Sequence, residues 1–226
     1  MNYGKEFQAY YTKHLGKPSS HLDYFSQQIE SSMTPYILEE REMRVTQMDI
    51  FSRLMRDRLL WVAGPVNDHM STIVQAQLMF LDSTDKTDIT MHIDSPGGSV
   101  KSGLSMVDVM EYISCDIRTV NTGMAASMGS VLLGAGTKGK RSSLRFSQTM
   151  LHQSSGGAVG NIQDAEISMR EWNKINNTLF ELLGGYCGKD AEIVKNDASR
   201  DLWLDSSEAL EYGIIDEIVV SKKKGS

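Results

Sequence analysis

Short apolar runs that read as buried strands recur about every thirty residues through the middle of this 226-residue chain, and that spacing is the length of one βαβ unit. The runs are Leu59–Ala63, Ile89–Ile93, Ile117–Val120 and Thr149–His152. Between them lie stretches with apolar residues at helical spacing: His69–Leu81, Val100–Ile113, and the short Val131–Ala135, which leads on through Leu144–Phe146. Repeats of this kind imply mostly parallel pairing, because a parallel neighbour can be reached only by a crossover. The chain is thereby confined to an α/β fold. Its turns fall at the carboxyl ends of the strands, where open α/β sheets collect functional groups.

The flanking segments fit around that repeat. Residues 1–32 are polar and aperiodic and read as a flexible, propeptide-like arm outside a single domain spanning 33–226. Met48, Phe51, Leu54 and Met55 set a helical pattern starting at Gln47. The longest helical signal runs from Asn161 to Leu183, with Ala165, Met169, Trp172, Ile175, Leu179 and Leu182 in one stripe ended by Gly184-Gly185. At ~1.5 Å per residue it is roughly 35 Å long, more than one small domain needs to cover its sheet. An overhanging apolar helix suggests packing against another subunit. A shorter helix is expected around Ala191–Asn196. Asp205-Ser206-Ser207-Glu208 has the pattern of a capping box for a helix over Ser206–Tyr212 stopped by Gly213, and Ile214–Val220 reads as a last strand.

Composition removes several classes of function. A net charge of -6 is opposite to the basic face that a nucleic-acid grip needs. No apolar run approaches the eighteen or so residues of a membrane span. Cys115 and Cys187 make no disulfide framework and suit a reducing compartment, and neither has metal-ligand spacing to a histidine. The N-terminus lacks a secretory pattern, so a cytoplasmic, bacterial-type protein is expected.

The chemistry-bearing residues cluster at the turns. Ser127 sits in Gly123-Met124-Ala125-Ala126-Ser127-Met128-Gly129-Ser130, between a strand-like and a helix-like run. Taken alone it equally fits a small residue that lets a helix pack closely. A serine hydroxyl needs a base to attack at neutral pH. His152, alone of five histidines, ends a core-like strand beside glycine-rich turns. His14 and His21 lie in the arm, His69 opens a helix, and His92 alternates with Met91 and Ile93 toward the opposite strand face. Asp94-Ser95-Pro96-Gly97-Gly98 is a tight turn. Without a side chain, Gly98 can bring its N–H to a developing alkoxide, with Met128, next after the serine, as second donor. Asp197, Asp201 and Asp205 all remain open as a partner for the histidine.

Asp94–Gly98, Gly123–Gly129, Lys138-Gly139-Lys140-Arg141, Met150-Leu151-His152-Gln153 and Glu208–Gly213 together resemble the ClpP family. Its members are the proteolytic subunits of ATP-dependent caseinolytic proteases, tetradecameric serine peptidases. The resemblance covers roughly Thr34 to Val220, with the motifs in order and spacing. It implies a ClpP/crotonase-like spiral of βαβ units with a protruding handle helix, and a serine endopeptidase that cuts unfolded polypeptides inside two stacked heptameric rings. It implies Ser127 as nucleophile, His152 as base, Asp201 as the residue orienting the histidine, and Gly98 and Met128 as oxyanion donors. Gly156-Gly157 resembles the segment that pairs with substrate backbone, and Arg200 an assembly residue at the ring-to-ring contact. No cofactor or metal is implied; ATP is used by a partner AAA+ unfoldase.

The partner-docking positions of the family correspond here to His92, Tyr112, Val120, Leu144 and Val219, with Thr90, Thr122 and Ser142 among them. This set is more polar than the aromatic family pocket. The arm is longer than many family propeptides, and a self-processing cut is expected near Ser32-Met33-Thr34. Two other classes compete: an acyl-CoA enzyme of the related crotonase fold, which needs no Ser/His pair, and a non-catalytic ring subunit, which lacks part of the triad.

Overall fold

The computed structural model describes residues 36–41, 44–154 and 161–219, so the arm over 1–32 and Gly156-Gly157 lie outside the described residues. The chain separates into two compact units between Leu54 and Met55. The first contains an antiparallel hairpin of β1 (Tyr36–Arg41) and β2 (Arg44–Asp49), in register from Tyr36 opposite Asp49 to Arg41 opposite Arg44. The helical pattern expected from Gln47 therefore starts later, at α1 (Ile50–Arg56). Asp49 sets that boundary, its Oδ1 accepting the N–H groups of Phe51 and Ser52, both at 3.0 Å. Met48 and Phe51 imitate a helical stripe across a strand-to-helix junction.

The second unit is built on a seven-stranded sheet. Its strands are β3 (Leu59–Ala63), β4 (Ile89–Ser95), β5 (Ile117–Ala126), β6 (Arg141–Leu144), β7 (Gln148–Leu151), β8 (Leu202–Leu204) and β9 (Glu217–Val219). The order β3-β4-β5-β6-β9 is parallel throughout, as the thirty-residue repeat implies. The long strand β5 forks. Thr119–Asn121 pair with β6, whereas Met124–Ala126 pair with β7, which in turn takes β8 antiparallel. Strands β6 and β8 carry little apolar alternation, and periodicity did not disclose them. The last strand is shorter than Ile214–Val220, because Ile214 and Ile215 are buried in the core before pairing resumes at Glu217.

The crossovers are α2 (Asp68–Thr84), α3 (Val100–Tyr112) and α4 (Met128–Gly134). They bury Val74, Leu78, Met106, Val107, Leu132 and Leu133 against Leu60, Met91 and Ile93 of the sheet; each such side chain is worth about 1.5–3 kcal/mol. The long helix α5 (Ile162–Cys187) has 26 residues, ~39 Å at ~1.5 Å per residue. Only its C-terminal end is buried, at Leu179, Phe180, Leu183 and Gly184. Toward the N-terminus Ile162, Ile167 and Met169 stand exposed, Ile162 at 79 %. The helix thus overhangs, as its length suggested. Helices α6 (Ala191–Asp197) and α7 (Ser206–Tyr212) complete the unit, and α7 starts in the expected capping box and stops at Gly213.

Candidate active site

Strand register brings the site together. Ala126 of β5 pairs with Met150 of β7, and the Ser127 N–H continues the ladder by donating to Met150 O at 2.9 Å. The chain leaves the sheet one residue past Ala126, at Ser127, and two residues past Met150, at His152. His152 Nε2 then lies 2.8 Å from Ser127 Oγ. Leu151 is opposite Leu202 in the antiparallel β7–β8 pair, so the next pair outward is His152 and Asp201. Their nearest atoms, His152 Nδ1 and Asp201 Oδ1, are 3.5 Å apart. Gln153 N–H, donating to Ala198 O at 3.2 Å, ties the two strand ends together beyond them.

Ser127 has φ 54° and ψ −121° at the N-cap of α4. This left-handed conformation costs a residue with a Cβ roughly 1–3 kcal/mol. Ser130 holds it from within the helix, its N–H and Oγ both donating to Ser127 O, at 3.0 and 2.7 Å. A serine on a strained strand-to-helix turn carries its hydroxyl outward, toward whatever occupies the cleft. The side chain of His152 is 23 % exposed and that of Asp201 63 %.

The Gly97-Gly98 turn lies against the serine because Ser95 of β4 pairs with Ala125 of β5. Gly97 has φ 90°, and a Cβ there would stand 2.6 Å from Ser127 Cβ and 2.9 Å from Met128 N. Gly98 has φ 147° and bridges to Val66, whose O would be 2.3 Å from a Cβ at Gly98. Both positions therefore demand glycine. Among the described residues neither the Gly98 N–H nor the Met128 N–H donates to a protein acceptor. Val100, Val131, Leu179 and Leu183, with Ser130 and Ser154, line a small cleft of about 20 Å³ beside Ser127 and His152.

The other aspartates are occupied elsewhere. Asp197 Oδ2 accepts from the Tyr212 hydroxyl at 3.0 Å, and Asp205 caps α7. Arg200 is exposed and has no ion pair among the described residues. Of the positions assigned to partner docking, Tyr112 is 78 % exposed at the end of α3, whereas Val120 is buried. Leu144 and Val219 are half-exposed and directly paired across β6 and β9. His92 stacks on Trp61, ring centroids 4.7 Å apart. Burial pushes its imidazole below the ordinary pKa, and its Nδ1 has no partner among the described residues. Ser154, missed in the sequence, adjoins the cleft and is held by α5: its N–H and Oγ donate to Asn176 Oδ1 at 3.0 and 2.9 Å. No local pattern links two residues that far apart. Among the described residues no helix is long and apolar enough to cross a membrane, and no cluster of three His, Cys, Asp or Glu side chains could hold a metal ion.

A serine, a histidine and free backbone donors on neighbouring strand ends of a parallel sheet are the equipment of an α/β serine hydrolase. Residues 40–222 match the family described as Clp protease. Similar proteins named ATP-dependent Clp protease proteolytic subunit occur in Porphyromonas gingivalis, 46 % identical over 97 % of this chain and 99 % of the relative. Another is found in Bacteroides fragilis, 47 % identical over 96 % and 99 %. A third, from Bacteroides thetaiotaomicron, is 46 % identical over the same shares. The chain belongs to the Clp protease family.

Proposed function

We propose that this protein is the serine endopeptidase subunit of an ATP-dependent Clp protease. Ser127 Oγ attacks the scissile carbonyl while His152 Nε2 takes its proton, forming a tetrahedral oxyanion. The Gly98 and Met128 N–H groups bind that oxyanion, and one such donor lowers the barrier by about 3 kcal/mol. Asp201 holds the imidazole in the tautomer that accepts at Nε2 and stabilises the imidazolium once formed. The imidazolium then protonates the leaving amine, and water enters by the same route to free the acyl group. The observation that carries this reading is the 2.8 Å contact of His152 Nε2 with Ser127 Oγ beside the Gly98 turn.

The substrates are unfolded polypeptides delivered by an AAA+ unfoldase, a reading supported by the ATP-dependent protease name of the similar proteins. The exposed apolar half of α5 supports assembly through that helix, in two stacked heptameric rings, with Arg200 at the ring-to-ring contact. Gly156-Gly157 pairs with substrate backbone. Tyr112, Leu144, Val219 and His92 form the partner-docking face, to which Val120 contributes as buried support. The arm over 1–32 is removed by self-processing, and the assembly works in the cytoplasm.

Labelling with a fluorophosphonate probe, with hydrolysis of a short fluorogenic peptide and sizing on the same sample, tests the reading. Wild type should label at Ser127 and hydrolyse the peptide without nucleotide. Ser127→Ala should do neither while keeping the oligomer and the arm. An unlabelled, inactive wild type would favour a non-catalytic subunit. Hydrolysis within tenfold of wild type by pure Ser127→Ala protein would remove Ser127 as nucleophile.

A further inference from the structure

The turn that presents the Gly98 N–H is gripped at two points by one neighbouring segment. The first grip is backbone: Val66 N–H donates to Gly97 O, and Ser99 N–H donates to Val66 O, each at 2.8 Å. The second is made by side chains. Two residues beyond Val66, Asp68 Oδ1 lies 2.5 Å from Ser102 Oγ, which lies 2.7 Å from Ser99 Oγ. A carboxylate oxygen only accepts, so the Ser102 hydroxyl is the donor to Asp68, and it is the donor toward Ser99 Oγ as well. Ser99 Oγ is the acceptor on the other side, taking the Ser102 hydroxyl at 2.7 Å and the Ser102 N–H at 3.3 Å. The bonds radiate from the Ser102 hydroxyl, which links Asp68 to Ser99, the residue next to Gly98. Asp68 is free for this role because Asn67 caps α2, accepting from Met70 N–H at 2.9 Å.

We propose that Asp68, acting through Ser102 and Ser99, is a positioning residue for the Gly98 oxyanion donor. The proposal rests on the reading of Gly98 as that donor. The donor must meet the oxyanion at hydrogen-bond distance, and a displacement of about 1 Å at a catalytic group costs about a hundredfold in rate. The backbone bridge fixes Gly98 against Val66. The side-chain bonds add the first turn of α3 to the same anchor, so turn and helix cannot shift apart.

The α2–α3 seam supplies its own comparison. It continues away from the turn through Ser71 Oγ, 2.8 Å from Ser102 O and 2.9 Å from Ser105 Oγ, and through Gln75 Nε2, 2.8 Å from Ser71 Oγ. If the seam only packs two helices, losing the Ser105 hydroxyl and losing the Ser102 hydroxyl should be equivalent.

The test measures kcat and KM on a fluorogenic peptide for the full chain and for Ser102→Ala, Asp68→Ala, Asp68→Asn and Ser105→Ala, with particle size and Tm on the same samples. Ser102→Ala and Asp68→Ala should lower kcat about tenfold, with KM changed less than about twofold. Asp68→Asn keeps an acceptor oxygen and should recover most of that loss. Ser105→Ala should match wild type. A wild-type kcat in Ser102→Ala, or an equal loss in Ser105→Ala, overturns the proposal. Should Asp68→Ala fail to fold, Ser102→Ala decides alone, since it deletes one oxygen from an otherwise unchanged site. If wild type neither labels nor hydrolyses, the catalytic reading and this inference fall together. An active wild type with unaffected Ser102→Ala removes this inference alone.

Discussion

Asp201 stands opposite His152 because of register and not because of burial: its Oδ1 is 3.5 Å from His152 Nδ1, although its side chain is 63 % exposed. The pair sits one step beyond Leu151 and Leu202, the last partners of the antiparallel β7–β8 ladder. The strand ends hold the carboxylate in place while water still reaches it.

Asp201→Asn should therefore lower kcat on a short peptide, by less than the about 10⁴ seen where a triad aspartate is buried, and leave the particle intact. Asp197→Asn and Asp205→Asn should leave kcat near wild type and lower Tm instead, because those carboxylates hold Tyr212 and the start of α7. The opposite ranking would reassign the third member of the triad.

Gly97→Ala should abolish labelling by a fluorophosphonate. The new Cβ would stand 2.6 Å from Ser127 Cβ in a backbone at φ 90°, so either the turn or the serine must move. A shift of that size predicts at least about a hundredfold loss in kcat. Activity near wild type would mean that the turn does not constrain the serine.

Asp216→Asn should destabilise the protein by about 3–5 kcal/mol, the effect of stranding a buried charge. Arg141 is 3 % exposed in its side chain and gives Asp216 an Nη2 bond of 2.6 Å and an Nε bond of 2.8 Å. Burial pushes the Asp216 carboxyl up, but the Arg141 hydrogen bonds outweigh it and hold it below the ordinary 3.8. A depressed carboxyl means that the unfolded chain binds the proton first. The stabilisation is then complete above that ordinary value and disappears as pH falls through the lower folded one. Urea titrations of both proteins between neutral pH and pH 3 should show the gap narrowing at the acid end. A constant gap would contradict the ion pair.

His92→Phe should raise stability, and more at pH 5.5 than at pH 8. Burial lowers the His92 pKa, so the unfolded chain takes up a proton that the folded chain resists. Wild type accordingly loses stability as pH falls through the unfolded value near 6.5. Phenylalanine keeps the stack on Trp61 and removes the unpaired Nδ1. A gain of about 1 kcal/mol would raise Tm by about 2–4 °C. A larger gain at pH 8 than at pH 5.5 would reverse the assigned sign.

Much of the site was legible because its residues are constrained by type. A serine between small residues at a strand end, a histidine closing an apolar run and a double glycine each stand out locally. So did the parallel sheet, since a thirty-residue repeat leaves few other connections. Strands β6 and β8 were not legible. They are short, and β6 is polar in three of its four residues, its Ser142 and Ser143 buried beside β5 and β9. The hairpin strand Arg44–Asp49 was hidden by Met48 and Phe51, whose spacing fits a helix equally well.

The sequence by itself determined which groups could do the chemistry and on which kind of scaffold, because residue type and periodicity are local properties. Spacing alone left Asp197, Asp201 and Asp205 open, with only the family resemblance pointing to Asp201, and nothing local joined Asp68 to Ser102 or Ser154 to Asn176. Those choices belong to the tertiary structure. They depend on strand register and helix docking, which bring residues separated by twenty to fifty positions within hydrogen-bond reach, and the hydrophobic pattern that drives the packing carries no record of which polar partners it will leave side by side.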